Sequence, residues 1–124
     1  MIRKLTTVFF IFLFMILMIG CTGSPIRRSG EAAKNRSNLV KLQIGMTKNQ
    51  VMDLMGTPSK TEAYEIQTKN VEFWLYLTEY SWTQYTGATK IDYTPLAFEE
   101  SILKGWGRNY YDQVLRIKQE IKIE

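Results

Sequence analysis

The sequence contains no histidine, only three prolines and a single cysteine, Cys21. Without histidine, a Ser-His or Cys-His catalytic pair cannot form, and no metal site can use an imidazole ligand. A single cysteine also cannot form a disulfide bond within the chain, so the fold depends on its hydrophobic core. These absences remove much of enzyme chemistry, and we expect a protein that is not an enzyme and that binds no metal or other cofactor.

Basic residues are unevenly distributed along the chain. The formal net charge is +4, and residues 22–48 hold six Lys or Arg against one Glu, whereas residues 49–124 are net acidic. Because the basic stretch adjoins Cys21, it suits an anionic membrane surface, although a solvated linker and helix face explains it equally well. The acidic remainder argues against nucleic-acid binding.

The first residues have the pattern of a secretory signal. Basic residues precede an uncharged run of twelve residues, 8–19, which is too short to span a bilayer comfortably. Gly20, a small residue, stands directly before Cys21. We therefore predict a signal peptide over residues 1–20, with cleavage before Cys21. An uncleaved anchor is the alternative, because residues 5–26 carry no charge.

The run Leu17-Met18-Ile19-Gly20-Cys21 resembles the lipobox of bacterial lipoproteins. This resemblance implies covalent diacylglycerol and acyl groups on Cys21, which suffice for stable membrane anchoring. Thr22 stands where aspartate would favour retention in the inner membrane, so we expect an outer-membrane location facing the periplasm. Residues 21–31 are predicted to form a lipidated tether, and residues 32–124 the folded domain.

Two short helices are predicted at the start of this domain, over Ala32–Gln43 and Thr47–Met55. The second begins with a capping box, a hydroxyl at the N-cap and a glutamine three residues later, which together satisfy two free backbone N–H groups. Glycine follows each helix, and a proline prevents continuation of the second. The residues that mark these helix ends are Gly45, Thr47, Gln50, Gly56 and Pro58.

Beyond the second helix the hydrophobic period changes to two, as in β-strands. Val71–Tyr80 is the strongest strand, with aliphatic residues on one face and aromatic and polar residues on the other. This pattern is typical of a sheet with one packed and one partly open face. Pro95 favours an edge strand or a strand that begins near it. The other predicted elements are strands at Lys60–Gln67, Tyr93–Phe98 and Ile102–Trp106, a long loop at Ser81–Asp92, and a last helix at Asn109–Glu120.

The run Leu42–Val51, continued by Leu54–Pro58, resembles the SmpA/OmlA family, to which the BamE subunit of the outer-membrane β-barrel assembly machine belongs. The resemblance implies an α+β fold: two short helices packed on a three- to four-stranded antiparallel sheet, plus a C-terminal helix. The same arrangement occurs in β-lactamase inhibitor proteins. The implied function is a membrane-anchored, non-catalytic binding or scaffold module of the cell envelope, with outer-membrane protein assembly as one role.

Trp74, Tyr76 and Tyr80 share the predicted open face and are a candidate surface for an envelope-protein partner, because aromatic residues are favoured anchors at such surfaces. In the alternative, the C-terminal segment or the loop with Trp82 and Tyr85 covers them. A second possible function also uses this face: an inhibitor-like or ligand-binding lipoprotein would dock its ligand there.

Two further groups of residues have both a functional and a structural explanation. Trp106, Tyr110 and Tyr111, with Arg108, have the composition of a lipid-headgroup contact, but packing of the last helix onto the sheet explains them as well. The second group consists of turn carboxylates, which are usually solvated rather than catalytic. Its members are Asp92, Glu99 and Glu100.

Overall fold

The structure is a computed structural model that describes residues 25–83, 85–87 and 89–121. The predicted signal peptide, Cys21 and the first part of the predicted tether lie outside these residues. Within the described residues the chain forms three helices and a four-stranded antiparallel sheet, which confirms the predicted α+β fold with a C-terminal helix. The elements in chain order are α1 (Pro25–Leu39), α2 (Lys48–Met55), β1 (Lys60–Ile66), β2 (Lys69–Trp82), β3 (Thr89–Glu99), β4 (Ile102–Trp106) and α3 (Arg108–Ile121).

The first helix begins earlier than predicted, so Pro25 to Gly30 are helical rather than an irregular tether. Proline suits the first helical position, because its φ is already near the helical value and its missing N–H is not needed there. The buried side of α1 carries Ala32, Asn35 and Asn38. Because this side is small and polar, hydrophobic periodicity cannot reveal the full length of the helix. None of the described helices is long and apolar enough to cross a membrane.

The predicted helix-end motif has the expected geometry. Thr47 is the N-cap of α2, and Thr47 and Gln50 make both hydrogen bonds of the capping box. Gly45 and Gly56 have φ values of 94° and 79°, in the left-handed region that favours glycine. With Pro58 after them, these residues fix the ends of α2 and the path of the chain into β1.

The strands are ordered β1-β2-β3-β4, and each pairs antiparallel with the next. β3 is therefore an inner strand, and the sequence expectation for Pro95 is wrong, because this proline lies well inside it. Pro95 is tolerated because pairing with β4 begins only at Leu96. The Pro95 carbonyl accepts the Gly107 N–H at 2.9 Å just beyond β4, so no ladder hydrogen bond is lost there.

Helices cover both faces of the four-stranded region. On one face, α1, α2 and their connection pack over a cluster centred on Trp74, Tyr76 and Phe98. On the other face, Tyr110, Tyr111 and Val114 of α3 pack against a cluster centred on Phe73. The resulting order of layers is two helices, a sheet and one helix.

The second and third strands continue beyond their neighbours. β1 pairs with β2 only as far as Leu75, and β4 pairs with β3 only as far as Leu96. β2 and β3 remain paired to Trp82 and Thr89, so the predicted loop at Ser81–Asp92 is wrong and residues 83–88 alone connect the strands. Residues 79–92 thus form a two-stranded ribbon with its connection, which we name the arm.

Candidate functional site

Trp74 and Tyr76, two residues of the predicted partner surface, are buried, with 7% and 1% of their surface exposed. They pack with Val51 and Met55 of α2 and with Leu42, so the predicted open sheet face does not exist. The N-terminal helices cover this face, rather than the C-terminal segment or the loop that we considered. The prediction failed because β2 carries bulky side chains on both faces, and alternation alone does not show which face is covered.

The polar atoms of these two aromatic residues are satisfied inside the fold. Tyr76 Oη donates to the Gly56 carbonyl at 2.8 Å, and burial raises the pKa of Tyr76 to about 12. Trp74 Nε1 donates to the Glu72 carboxylate, which also accepts from Lys48 Nζ. Burial raises the pKa of Glu72, but the hydrogen bonds from Lys48 and Trp74 outweigh burial and hold this pKa below its ordinary value. The charged Glu72 therefore links α2 to β2.

The residues of the predicted headgroup contact pack against the sheet, so the structural alternative is the correct one. The rings of Tyr111 and Phe73 lie edge to face, with 4.8 Å between their centroids. A Cβ at Gly105 would lie 2.6 Å from the Tyr110 ring, so glycine is required for α3 to approach β4 this closely. Trp106 is partly buried and packs against the cluster under α1 and α2.

A cluster of three side chains joins α3 to β1. Tyr111 Oη donates to Glu62 Oε2 at 2.6 Å, and Tyr64 Oη donates to the same oxygen at 3.0 Å. Burial and the hydrogen bond to Glu62 raise the pKa of Tyr111, so its phenol stays protonated. Arg108 lies 5.6 Å from the centroid of the Tyr111 ring. These groups are engaged in holding the last helix in place.

The three turn carboxylates are not brought together. Asp92 pairs with Arg108 at 3.1 Å, and Glu99 pairs with Lys69 at 3.4 Å. Glu100 is exposed in the β3–β4 turn. Across the described ranges no group of three or more Cys, Asp or Glu residues is placed to hold a metal ion. Asp92 lies within β3 and Glu99 at its end, so the predicted turn position is correct for Glu100 alone.

Three of the seven large hydrophobic side chains that are exposed in the described residues lie on the arm. Trp82, Tyr85 and Ile91 are 54%, 103% and 41% exposed. Tyr80, the third residue of the predicted partner surface, is partly exposed and pairs with Ile91 across the ribbon. Because side chains alternate along a strand, Tyr80 and Trp82 lie on one face of the ribbon and Glu79 on the other. In the sequence, aromatic and polar residues alternate from Glu79 to Trp82, and this pattern indicates that the strand continues into the arm.

The base of the arm is fastened to α1. The pairing register slips between Leu77 and Glu79, which leaves Thr78 as a β-bulge. Asn35 Nδ2 donates to the Leu77 carbonyl at 2.8 Å, and the Arg36 guanidinium donates to the Thr78 carbonyl. Two successive side chains of α1 thus bind two successive backbone carbonyls of β2, which fixes the helix relative to the arm.

The first turn of α1 also lies beside the arm. The guanidinium carbon of Arg28 is 5.8 Å from the centroid of the Tyr80 ring, within the range of a cation–π contact. Ile26, two residues before Arg28, is 83% exposed. The end of the described domain that is nearest to Cys21 in sequence therefore lies next to the exposed aromatic residues.

A groove of about 230 Å³ lies at the other end of β2, between the β1–β2 turn and α3. Ile66, Val71, Val114 and Ile117 supply its apolar lining. The Lys69–Glu99 ion pair stands at its edge. Polar and charged side chains make up the rest of its wall, so the groove is of mixed character; they are Gln67, Lys69, Glu99, Tyr110 and Gln113.

These features define a small α+β domain whose sheet is covered on both faces and extended by a two-stranded arm. A family model described as "Protein of unknown function (DUF3192)" matches residues 25–113, most of the chain. The protein therefore belongs to the DUF3192 family. No curated protein and no solved structure matches the chain. The matched range begins at the first residue of α1, so it includes helical residues that the sequence prediction assigned to the tether.

Proposed function

We propose that the protein is a lipid-anchored, non-catalytic binding or scaffold module of the bacterial cell envelope. In this proposal residues 1–20 are a signal peptide, and lipid on Cys21 holds the mature chain on the outer membrane, facing the periplasm. Its partners are envelope proteins. The resemblance to the SmpA/OmlA family favours outer-membrane protein assembly as the specific role.

The observation that carries the proposal is the position of α1. This helix begins at Pro25, four residues after Cys21, and its side chains are bonded to β2. Four residues span at most about 14 Å when fully extended. Lipid on Cys21 would therefore hold a rigid domain within about that distance of the bilayer surface. A short link of this kind suits a scaffold component, which must keep a fixed place in a complex.

The chemistry of the described residues supports binding rather than catalysis. Tyr76, Tyr111 and Glu72 have shifted pKa values, and each of them is hydrogen-bonded between elements of the fold. Such groups hold the domain together. The inhibitor-like alternative needs an exposed docking surface, and the sheet face predicted for it is covered by α1 and α2.

The first experiment is mass spectrometry of the protein purified from envelope membranes. We expect a mature chain that begins at Cys21 and carries the mass of diacylglyceryl and acyl groups. Cys21→Ser should remain at precursor size, while the matched control Thr22→Ser should be processed like the wild type. An intact Met1 in the wild-type protein would refute the lipoprotein proposal.

The second experiment tests the role as a scaffold by affinity purification from detergent-solubilised envelopes. We expect subunits of the β-barrel assembly machine to be recovered with the wild-type protein. Inserting about ten flexible Gly and Ser residues before Pro25 should weaken this recovery, because the domain would no longer be held close to the membrane. Recovery of a hydrolase alone would favour the inhibitor-like alternative, and recovery of no partner would contradict both.

A further inference from the structure

The arm and the start of α1 form one surface with the composition of a membrane contact. Trp82 and Tyr85 are exposed near the tip of the ribbon, and Ile91, the partner of Tyr80 across the ribbon, is also exposed. Tryptophan and tyrosine favour the boundary between lipid headgroups and acyl chains, because their rings are apolar and carry one polar atom. The contact between Arg28 and Tyr80 holds the two parts of this surface together.

The charges of this surface suit an anionic bilayer. Arg28 lies on the first turn of α1 beside the arm, and cations close to a membrane are attracted to anionic headgroups. On the arm, Glu79 is paired with Lys90 at 2.9 Å, so its negative charge is compensated. Asp92 at the base of the arm is likewise paired with Arg108. No uncompensated acidic group of the arm therefore opposes approach to the membrane.

The position of Cys21 brings this surface within reach of the bilayer. The residue lies four positions before α1, so its lipid would enter the membrane no further than about 14 Å from Pro25. Pro25 and Arg28 are separated by one helical turn, about 5 Å along the axis. The ring of Tyr80 adjoins Arg28, and two further residues of an extended strand reach Trp82. Together these steps limit the path from Cys21 to Trp82 to about 30 Å, so the short tether keeps the arm within reach of the bilayer surface.

We propose that the arm lies at the headgroup level of an anionic phospholipid bilayer, with Trp82 and Tyr85 as interfacial anchors, and that it fixes the orientation of the domain on the membrane. The inference rests on the proposed lipid anchor at Cys21. It adds that the domain is held in one orientation, with the arm toward the lipid. The groove between the β1–β2 turn and α3, at the other end of β2, then faces away from the bilayer.

The test uses the lipidated full-length mature protein in vesicles of phosphatidylethanolamine and phosphatidylglycerol. Tyr85→Cys or Val40→Cys introduces a thiol for an environment-sensitive fluorophore. Val40 is the matched control, since it is also apolar and 84% exposed but lies just beyond the opposite end of α1 from Arg28. We expect a blue shift at position 85 and quenching by lipids with brominated acyl chains, and neither effect at position 40. Trp82→Ser should reduce the shift at position 85.

Three results would overturn the proposal: no quenching at position 85, equal quenching at both positions, or a discrete protein adduct from a photo-crosslinker placed at Tyr85 in envelopes. The last result would identify the arm as a protein-docking site. The mass of the same preparation separates this inference from the anchor. A lipidated chain without quenching at position 85 leaves the anchor intact and refutes the arm contact. Quenching at position 85 in a chain without lipid supports the arm contact and refutes the anchor.

Discussion

Two strands, β2 and β3, pass through two different surroundings in this molecule. In the four-stranded region, Phe73 and Tyr76 lie on opposite faces of β2 and are 0% and 1% exposed. Six residues beyond Tyr76 on the same strand, Trp82 is 54% exposed. The strand stays paired antiparallel with β3 on both sides of the Thr78 bulge. Helices cover the first region and not the second, and this coverage explains the difference in exposure.

The difference shows which aromatic residues stabilise the fold. A side chain stabilises a protein in proportion to the apolar area that it removes from water. Tyr76 is almost completely removed from water by α1 and α2, whereas Tyr85 at the end of the arm is fully exposed. Tyr85 therefore contributes little to folding, and Trp82, which is 54% exposed, contributes less than Tyr76.

The largest expected effect is in the covered region. Phe73→Ala removes a fully buried ring that contacts Tyr64 and Tyr111. It should lower the free energy of unfolding by about 3–5 kcal/mol, because the cavity cannot be filled by the surrounding strands. Urea denaturation of the purified protein measures this change. A loss below about 1 kcal/mol would mean that the α3 face is no better packed than the arm.

The close contact between α3 and β4 gives the second prediction. Gly105→Ala places a methyl group against the Tyr110 ring and should destabilise the protein by about 1–3 kcal/mol, the usual cost of overpacking. Near-ultraviolet circular dichroism should show that Tyr110 and its neighbours have moved. In a Tyr110→Ala background the same change should cost much less. Equal costs in both backgrounds would show that the ring is not what requires glycine.

The link between α1 and the bulge gives a somewhat smaller effect. Asn35→Ala leaves the Leu77 carbonyl without its donor and should lower stability by about 1–2 kcal/mol. Ser37→Ala on the exposed side of α1, where the hydroxyl bonds only to the Lys34 carbonyl of its own helix, is the matched control and should change little. If the two variants unfold at the same urea concentration, α1 is not fastened to β2 as described.

The same contrast explains what the sequence could and could not predict. The helix-end residues, from Gly45 to Pro58, were predictable because their backbone requirements are local. The covering of Trp74 and Tyr76 was not, because α1 covers β2 with Ala32, Asn35 and Asn38, whose small and polar side chains carry no hydrophobic signal.

The length of the arm was missed for a related reason. Its segment is rich in Ser, Thr and Gly, a composition typical of loops, and strand pairing there is supported by exposed pairs such as Glu79 with Lys90. Cross-strand pairs of this kind become visible only once the register is known. The sequence pattern therefore placed the candidate site in the middle of β2, whereas the structure places the exposed aromatic residues at the end of that strand.

Glu72, in the covered region, makes the stability of the protein depend on pH. Its pKa in the folded protein lies below the ordinary value of 4.5, so its charged form contributes stability above that pH, and the contribution is lost as the pH falls through the folded pKa. Glu72→Gln should lower stability by about 0.5–1 kcal/mol near neutral pH and by less in acid, because Glu72 is partly exposed. Urea midpoints at about pH 7 and about pH 3 measure the difference. Glu65→Gln, at an exposed site on β1, is the control; equal pH dependence in both variants would contradict the role of Glu72.

The smallest expected change in stability is on the arm, and it completes the comparison with Phe73. Trp82→Ser together with Tyr85→Ser should lower the free energy of unfolding much less than Phe73→Ala does, because Tyr85 is fully exposed and Trp82 is 54% exposed. The same denaturation experiment measures it. A loss similar to that of Phe73→Ala would mean that the arm is part of the core, and the argument that its aromatic residues serve a contact would fail. If the double variant keeps its fold but loses contact with the membrane, the two aromatic residues serve that contact and not the stability of the domain.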